Sequence, residues 1–332
     1  MKRILMIGTG GTIASEETQQ GLAPDLTPEQ LLRFVPAVSS LCEPDCLSLF
    51  SIDSTNVTPA HYLRIAAALR ENYERYDGFV IAHGTDTMAY TAAALSYLVQ
   101  GARKPIMLTG AQKPIGFDST DSKINLADAF TCSCSEKIHG VNIVFSGRVI
   151  TGTRARKTCS KSYAAFSSIN YPDIATLQDG RLLCYIESGY ERAPRFYSAL
   201  DERVGLVKMI PGTDRELFDF LLRRKDALVL ECFGVGGLPS YGGEELYETI
   251  CRAADAGKFL VVTTQVQNEG SDLSVYRVGH RLKENPGVLE AYDMTSEAAL
   301  AKIMWILAET REPDRVAELF YTPVAHDMLY RG

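Results

Sequence analysis

Apolar residues fall in short runs along this chain, and amphipathic stretches separate them. The runs at Arg3–Ile7, Cys46–Ser51, Gly78–Ala82, Ile106–Thr109 and Asn142–Ser146 have the length and continuity of strands buried on both faces. Helical patterns lie between them. Thr27-Pro28 followed by Gln30 combines the cap, the first-turn proline and the reciprocal polar residue of a helix start. Thr58-Pro59 opens another helix, running through Ala66, Leu69 and Tyr73, and Asp86–Val99 and Asp121–Cys132 are two more. Strands alternating with helices predict crossover units, hence an α/β fold with a parallel sheet and helices on both faces.

The rhythm lapses between Ser188 and Val204, where Gly189, Arg192, Pro194 and Arg195 interrupt any period. It resumes with Gly205–Ile210, a helix from Thr213, Ala227–Cys232, a helix from Gly243, Phe259–Thr264 and a helix from Thr295. The expected organisation is a larger N-terminal α/β domain over residues 1–187, a linker over 188–204 and a smaller C-terminal α/β domain over 205–332. No internal repeat or low-complexity segment interrupts it.

Composition narrows the class. Hydrophobic residues make up 46% and charged residues 23%, which excludes disordered and fibrous classes. The net charge of −7, with no like-charge run longer than Arg223-Arg224-Lys225, argues against a nucleic-acid or anionic-membrane partner. No apolar stretch approaches the ~20 residues that span a bilayer. Met1-Lys2-Arg3 precedes only Ile4 to Ile7 before Gly8, short of the roughly 7–15 apolar residues of a secretory signal, so the expected compartment is the cytoplasm. Cysteines stand at 42, 46, 132, 134, 159, 184, 232 and 251 without a CxxC pair or a matching histidine pair. They read as small apolar fillers, and no metal site is expected.

Ligands of open parallel sheets bind beyond the carboxyl ends of the strands, near the point where strand order reverses. Four loops fall there: Gly8–Ser15 (GTGGTIAS), Asp53-Ser54-Thr55-Asn56, His83-Gly84-Thr85-Asp86-Thr87 and Thr109-Gly110-Ala111-Gln112. The first matches a dinucleotide fingerprint only in part, because Ile13 stands where glycine or alanine belongs and Asp25 or Glu29 would have to bind the ribose. The remaining readings are a structural turn, or Thr12 as a hydroxyl nucleophile beside oxyanion-holding amides. Asp86 suits a helix cap, yet the two threonines flanking it exceed what a cap needs. Lys157, in Arg154-Ala155-Arg156-Lys157-Thr158, belongs either to a solvated cationic face or to a nucleophile–base pair, since a buried lysine loses its proton readily.

Taken together, GTGGTIA at 8–14, DSTNVTP at 53–59, HGTDTM at 83–88, KPIMLTGAQ at 104–112, DSKINLADA at 121–129, R-x-x-K-T at 154–158 before AAFSSINYP, and TQVQNEG at 264–270 resemble the bacterial-type L-asparaginases. The likeness runs from Ile4 to about Leu319, and the unsecreted start is similar to the cytoplasmic, type I branch. The resemblance implies hydrolysis of L-asparagine to L-aspartate and ammonia through an acyl-threonine, without a cofactor or metal, in a homodimer or homotetramer. It makes Thr12 the nucleophile and Thr85 with Lys157 the second threonine and its lysine. Asp86 becomes the partner of the substrate's α-amino group, and Ser54 with Thr55 the holders of its α-carboxylate. Ala111 falls beside the oxyanion. Lys157 is placed nine residues before Phe166, in preference to Lys161.

The sequence departs from the family's pattern where many members carry a loop tyrosine. Leu22 stands there, and no tyrosine occurs between Thr12 and Tyr62, which leaves Glu17, Thr18 or the Thr85–Lys157 pair to activate the nucleophile. The glutamate some members lend from a neighbouring subunit has only Glu284 and Glu290 as weak matches. Two rivals follow. One is the amidotransferase subunit that frees ammonia for tRNA-bound glutamate, which carries an extra N-terminal domain, whereas strand one here starts at Arg3. The other is an asparagine-sensing pseudo-enzyme, for which Leu22 is the argument. A minor glutaminase activity is also expected, because one methylene is worth only about 1–3 kcal/mol of discrimination.

Overall fold

A computed structural model describes residues 1–18, 21–24, 26–187, 193–239, 245–275 and 277–329. The chain divides into two compact units, Met1–Ser198 and Ala199–Gly332.

In the first unit five neighbouring strands run parallel and take in one edge of the sheet. These are β1 (Arg3–Gly10), β2 (Glu43–Ile52), β3 (Gly78–Ala82), β4 (Pro105–Thr109) and β5 (Gly140–Phe145), in spatial order β2-β1-β3-β4-β5. Each overlaps a run read from the sequence. The helices α1 (Pro28–Arg33), α2 (Pro59–Asn72), α3 (Met88–Leu98) and α4 (Ser122–Ser133) fill the connections. The Thr27 cap forms as expected. Gln30 N donates to Thr27 Oγ1 at 3.3 Å, and Thr27 N donates to Gln30 Oε1 at 2.7 Å. Because β2 lies on one side of β1 and β3 on the other, the order reverses between β1 and β3, the point beyond which open α/β sheets bind their ligands.

Strand residues alternate between two buried faces. Ile4, Met6, Val80, Ala82, Met107 and Val144 share one core cluster with Leu31 of α1 and Leu126, Ala129 and Phe130 of α4. Their neighbours Leu5, Ile7, Phe79 and Ile81 are equally buried. On the sheet, α3 packs against β4 and β5, and α2 packs on α3. Each of the larger side chains among them contributes roughly 1.5–3 kcal/mol by leaving water, so the strand ends that carry the loops are held firmly.

The sheet is not parallel throughout. A two-residue turn at Ser146-Gly147, both with positive φ, folds β6 (Arg148–Thr151) antiparallel onto β5. A separate ribbon follows, made of β7 (Ala155–Lys157) and β8 (Phe166–Ser168). Then β9 (Ala175–Gln178) and β10 (Arg181–Cys184) complete an eight-stranded sheet. These strands are three or four residues long and partly exposed, so no apolar run marks them.

The second unit holds four parallel strands in chain order: β11 (Val204–Lys208), β12 (Ala227–Cys232), β13 (Phe259–Thr264) and β14 (Val288–Glu290). Its helices are α5 (Arg215–Leu222), α6 (Glu245–Asp255), α7 (Arg277–Lys283), α8 (Ser296–Glu309) and α9 (Pro313–Tyr321). α5 starts after Thr213 because Asp214 is the cap, accepting from Glu216 N at 2.8 Å. The expected helix start at Gly243 lies outside the described residues, as do residues 188–192 of the expected linker. Past them, Arg195–Phe196 pairs antiparallel with Val99–Gln100 inside the first unit. Among the described residues no helix is long and apolar enough to cross a membrane, and no cluster of three or more His, Cys, Asp or Glu is arranged to hold a metal. The eight cysteines are free thiols.

Candidate active site

The ends of β1 and β3 bring the Gly10-Gly11-Thr12 loop against His83-Gly84-Thr85. Contact is backbone to backbone: a Cβ on Gly11, whose φ is +81°, would lie 2.3 Å from the Cα and N of Gly84. A Cβ on Gly84 would in turn lie 2.6 Å from Cβ and Oγ of Ser54. Three loops from β1, β3 and β2 therefore close on one another only because two residues lack side chains. Within GTGGT, Gly11 serves this approach, while a Cβ on Gly10 would lie 2.5 Å from Ile52 N and one on Gly8 2.5 Å from Pro28 Cγ, so each glycine answers to a contact inside the fold. Ile13 is fully buried at the position where a nucleotide loop needs glycine, and with Ala14 it joins the core cluster. Thr12 opens the short turn Thr12–Ala14, half-buried at the head of this anchor.

His83 fixes the second loop. The imidazole is wholly buried, and burial pushes its pKa down to about 4, so the ring is neutral. Its Nδ1–H donates to Gly84 O at 2.7 Å, and the Thr91 hydroxyl donates to Nε2 at 3.0 Å. With both nitrogens committed, His83 is a positioning group rather than a base.

Lys157, the last residue of β7, reaches the next two residues of that loop. Its Nζ donates to Thr85 Oγ1 at 2.9 Å and pairs with Asp86 Oδ1 at 2.6 Å. Thr85 is buried, Lys157 half-buried, and the Asp86 side chain 57% exposed, so the pair opens to solvent on the carboxylate side. Asp86 thus faces an ammonium instead of capping α3. The cap residue is Thr87, whose hydroxyl donates to Ser54 O at 2.8 Å. Nor is the Arg154–Lys157 run a solvated face. Arg154 is fully buried, with its guanidinium 5.8 Å from the Tyr171 ring, while Lys161 is exposed.

Ser54 is buried in the turn Ser54–Asn56, which Asp53 caps by accepting from Thr55 N at 2.8 Å and from Thr55 Oγ1 at 2.9 Å. The Thr55 hydroxyl is therefore committed to Asp53. Ala111 is buried after Gly110, where a Cβ would lie 2.2 Å from His83 O. Asn125 Nδ2 holds Gly110 O at 3.0 Å. Gln112 was expected only as a member of its loop. Its Oε1 accepts from Thr85 Oγ1 at 3.3 Å and its Nε2 donates to Ser162 O at 3.1 Å. Nothing in its sequence context marks that side chain.

Of the remaining candidates, the Leu22 backbone pairs with Glu17 in the ribbon Ser15–Thr18 with Gly21–Pro24, and the side chains of residues 16–25 lie outside what is described. Glu290 is buried in the second unit, paired with Lys283 at 2.9 Å and accepting from Leu273 N at 2.8 Å, which gives it a structural occupation. Glu284 is exposed.

Thr85, Lys157 and Asp86 bonded together at the switch point of a sheet, with the Thr12 loop packed against theirs, define a class: α/β proteins whose polar loops gather at one point beyond the strand ends. The chain belongs to the asparaginase family. The family model for the asparaginase N-terminal region matches residues 3–188, and the glutaminase/asparaginase C-terminal domain matches residues 203–320. An L-asparaginase of Thermococcus kodakarensis is 35% identical over 98% of this chain and 99% of its own length. The solved thermostable L-asparaginase from that organism superimposes with a TM-score of 0.93 over 99% of this chain and 100% of that one. L-asparaginase I from Vibrio cholerae, 28% identical, gives 0.87 over 99% of each chain. A glutamyl-tRNA(Gln) amidotransferase subunit of Pyrococcus furiosus is 34% identical over 98% of this chain but 76% of its own length.

Proposed function

We propose that this protein is an L-asparaginase of the type I branch, hydrolysing L-asparagine to L-aspartate and ammonia, with Thr12 as nucleophile. The observation that carries the reading is the Lys157 ammonium between Thr85 Oγ1 and Asp86 Oδ1, beside the Gly11–Gly84 contact that brings in Thr12. A free amino acid offers an ammonium and a carboxylate, and both must be paired before its amide is oriented. The open side of Asp86 takes the α-ammonium. Ser54 Oγ takes the α-carboxylate, and Thr55, whose N–H and hydroxyl are both held by Asp53, keeps that turn in place.

Once the substrate's α-ammonium neutralises Asp86, Lys157 releases its ammonium proton to water; Thr12 Oγ then attacks the side-chain amide carbon as its proton passes by way of Thr85 to the Lys157 amine. Backbone amides about Thr12 and Ala111 stabilise the oxyanion. Collapse expels ammonia, which takes up the proton, and water repeats the sequence on the acyl-threonine to free aspartate and Thr12. Side chains and water supply every proton and electron pair in this scheme, so it calls on no cofactor.

We further assign a homodimeric or homotetrameric assembly and a cytoplasmic location, both supported by the likeness to the type I branch. L-Glutamine is a minor substrate. The asparaginase reading stands ahead of the tRNA amidotransferase because the solved structures that superimpose at TM-scores of 0.93 and 0.87 are L-asparaginases.

The deciding experiment mixes purified protein with L-asparagine, and with L-glutamine in parallel, and measures ammonia. Rapid release from asparagine and slower release from glutamine is the expected result. No release from either, with aspartate or asparagine still bound in calorimetry, would replace the enzyme with a sensor.

A further inference from the structure

Resting on that reading, the geometry points to Gln112 as a positioning residue for the reaction: its carboxamide is a strut that ties Thr85 to the hairpin loop beyond Lys157. Lys157 ends β7, and the next eight residues, Thr158 to Ala165, form the loop that returns to β8. The base of this loop is closed by Thr158 N and Cys159 N, both donating to Ala165 O, and residues 159–164 above it are exposed. A lysine at the end of such a hairpin has a precise reach only if the loop is held from the other side.

Gln112 does this with both ends of one amide. Nε2 donates to Ser162 O at 3.1 Å, and Oε1 accepts the Thr85 hydroxyl proton at 3.3 Å. Gln112 is itself immobilised, since its backbone N donates to the Asp121 carboxylate at 2.9 Å and 3.1 Å. Asp121 is buried and also accepts from Lys113 N at 3.1 Å and Asn125 Nδ2 at 3.2 Å. The chain of contacts thus runs from the start of α4 through Gln112 to both partners in the Thr85–Lys157 hydrogen bond.

The direction of the bonds matters. With the Thr85 proton on Gln112, the Thr85 lone pair faces the Lys157 ammonium, which is the resting arrangement. The bond to Gln112 is long, so the hydroxyl can turn when Lys157 becomes the acceptor. Gln112 touches neither the reacting carbon nor the nucleophile; it acts through Thr85 and the hairpin.

Two variants separate this role from mere packing. Gln112→Met keeps the length and removes both bonds. Gln112→Glu keeps the acceptor for Thr85, and it regains a donor for Ser162 O only when its carboxyl is protonated. For Gln112→Met, kcat should fall by at least about tenfold with KM nearly unchanged, as for a misplaced reacting group. For Gln112→Glu, the ratio of its kcat to that of the unmutated enzyme should climb as the pH is lowered. Amide hydrogen exchange over residues 158–165, measured without substrate, should quicken in Gln112→Met. Unchanged kcat with unchanged exchange in Gln112→Met overturns the strut, as does a pH-independent ratio in Gln112→Glu. If the unmutated protein releases no ammonia, the asparaginase reading fails by itself, and the exchange measurement still decides whether Gln112 holds the hairpin.

Discussion

Gly11 and Gly84 meet with no side chain between them, at a separation that would leave 2.3 Å from a Cβ on the first to the Cα and N of the second. Backbone cannot yield as a flexible side chain can, and the positive φ of Gly11 adds strain to any L-residue there. Gly11→Ala should therefore push the Thr12 loop off the Thr85 loop. We expect about 2–4 kcal/mol of lost stability from overpacking and backbone strain, and ammonia release down by about a hundredfold or more from displacing Thr12, the proposed nucleophile. Gly116→Ala is the control, because nothing lies within 4 Å of a Cβ there. Urea denaturation and an ammonia assay on both variants would show two similar proteins if the loop contact were unimportant.

In the proposed reaction Thr12 and Lys157 have separable tasks. Thr12→Ala should release no ammonia and still bind L-aspartate in calorimetry, since Asp86 and Ser54 remain. Lys157→Met should lower kcat by about 10²–10⁴, the usual worth of a placed proton acceptor. Lys161→Met should behave like the unmutated protein, because Lys161 is exposed and it is Lys157 whose ammonium bonds to Thr85. Full turnover in Thr12→Ala, or a large loss confined to Lys161→Met, would show that the roles have been placed on the wrong side chains.

The central strands were legible because residues such as Ile4–Ile7 and Phe79–Ala82 are buried on both faces and so form unbroken apolar runs. The start of α1 was legible because Thr27, Pro28 and Gln30 carry a local hydrogen-bond code that needs no tertiary partner. β7, β8, β9 and β10 left no such trace. They are short, half-exposed and paired with residues near in sequence, so turns such as Asp179-Gly180, between β9 and β10, specify them more than hydrophobicity does. In the site, Asp86 was ambiguous between cap and counter-ion because both uses favour a carboxylate after Gly-Thr. Only the approach of Lys157, 71 residues away along the chain, decides it. Gln112 and His83 stay silent in the sequence for the same reason. Each acts through a neighbour on another loop, and spacing within one loop carries no record of that.

His83 supplies a pH signature. Its pKa is lowered by burial from 6.5 to about 4 in the folded chain. Between those values the unfolded chain binds a proton that the folded chain refuses. Stability therefore rises with pH across this window, is complete above about 6.5 and is lost as the pH falls toward 4. The displacement corresponds to about 3 kcal/mol at full development. His83→Asn removes the group, so its stability should vary less with pH between 4 and 6.5 than that of the unmutated protein. Urea denaturation across that range compares the two, and an NMR titration of the folded protein follows the imidazole directly. A His83 midpoint near 6.5 in the folded state would contradict the buried, neutral ring.

Lys302 and Asp327 form the most deeply buried ion pair among those described, with Nζ and Oδ2 2.6 Å apart and both side chains fully covered. Lys302 stands on α8 and also donates to Thr322 O at 2.9 Å, while Asp327 Oδ1 accepts from Val324 N at 2.9 Å. Together they tie the residues after α9 back onto α8. Attraction within such a pair is offset by the cost of removing both charges from water, but removing one partner strands the other. Lys302→Met should accordingly cost about 3–5 kcal/mol, and Asp327→Asn a comparable amount. The double variant Lys302→Met with Asp327→Asn leaves no buried charge and keeps an acceptor for Val324 N. It should therefore be far more stable than the sum of the single losses allows. Urea midpoints of the four proteins complete a double-mutant cycle. If the two losses simply add, the residues do not act as a pair; if each single change costs under about 1 kcal/mol, the comparison with exposed pairs is the right one, and the terminal segment is held by its apolar contacts instead.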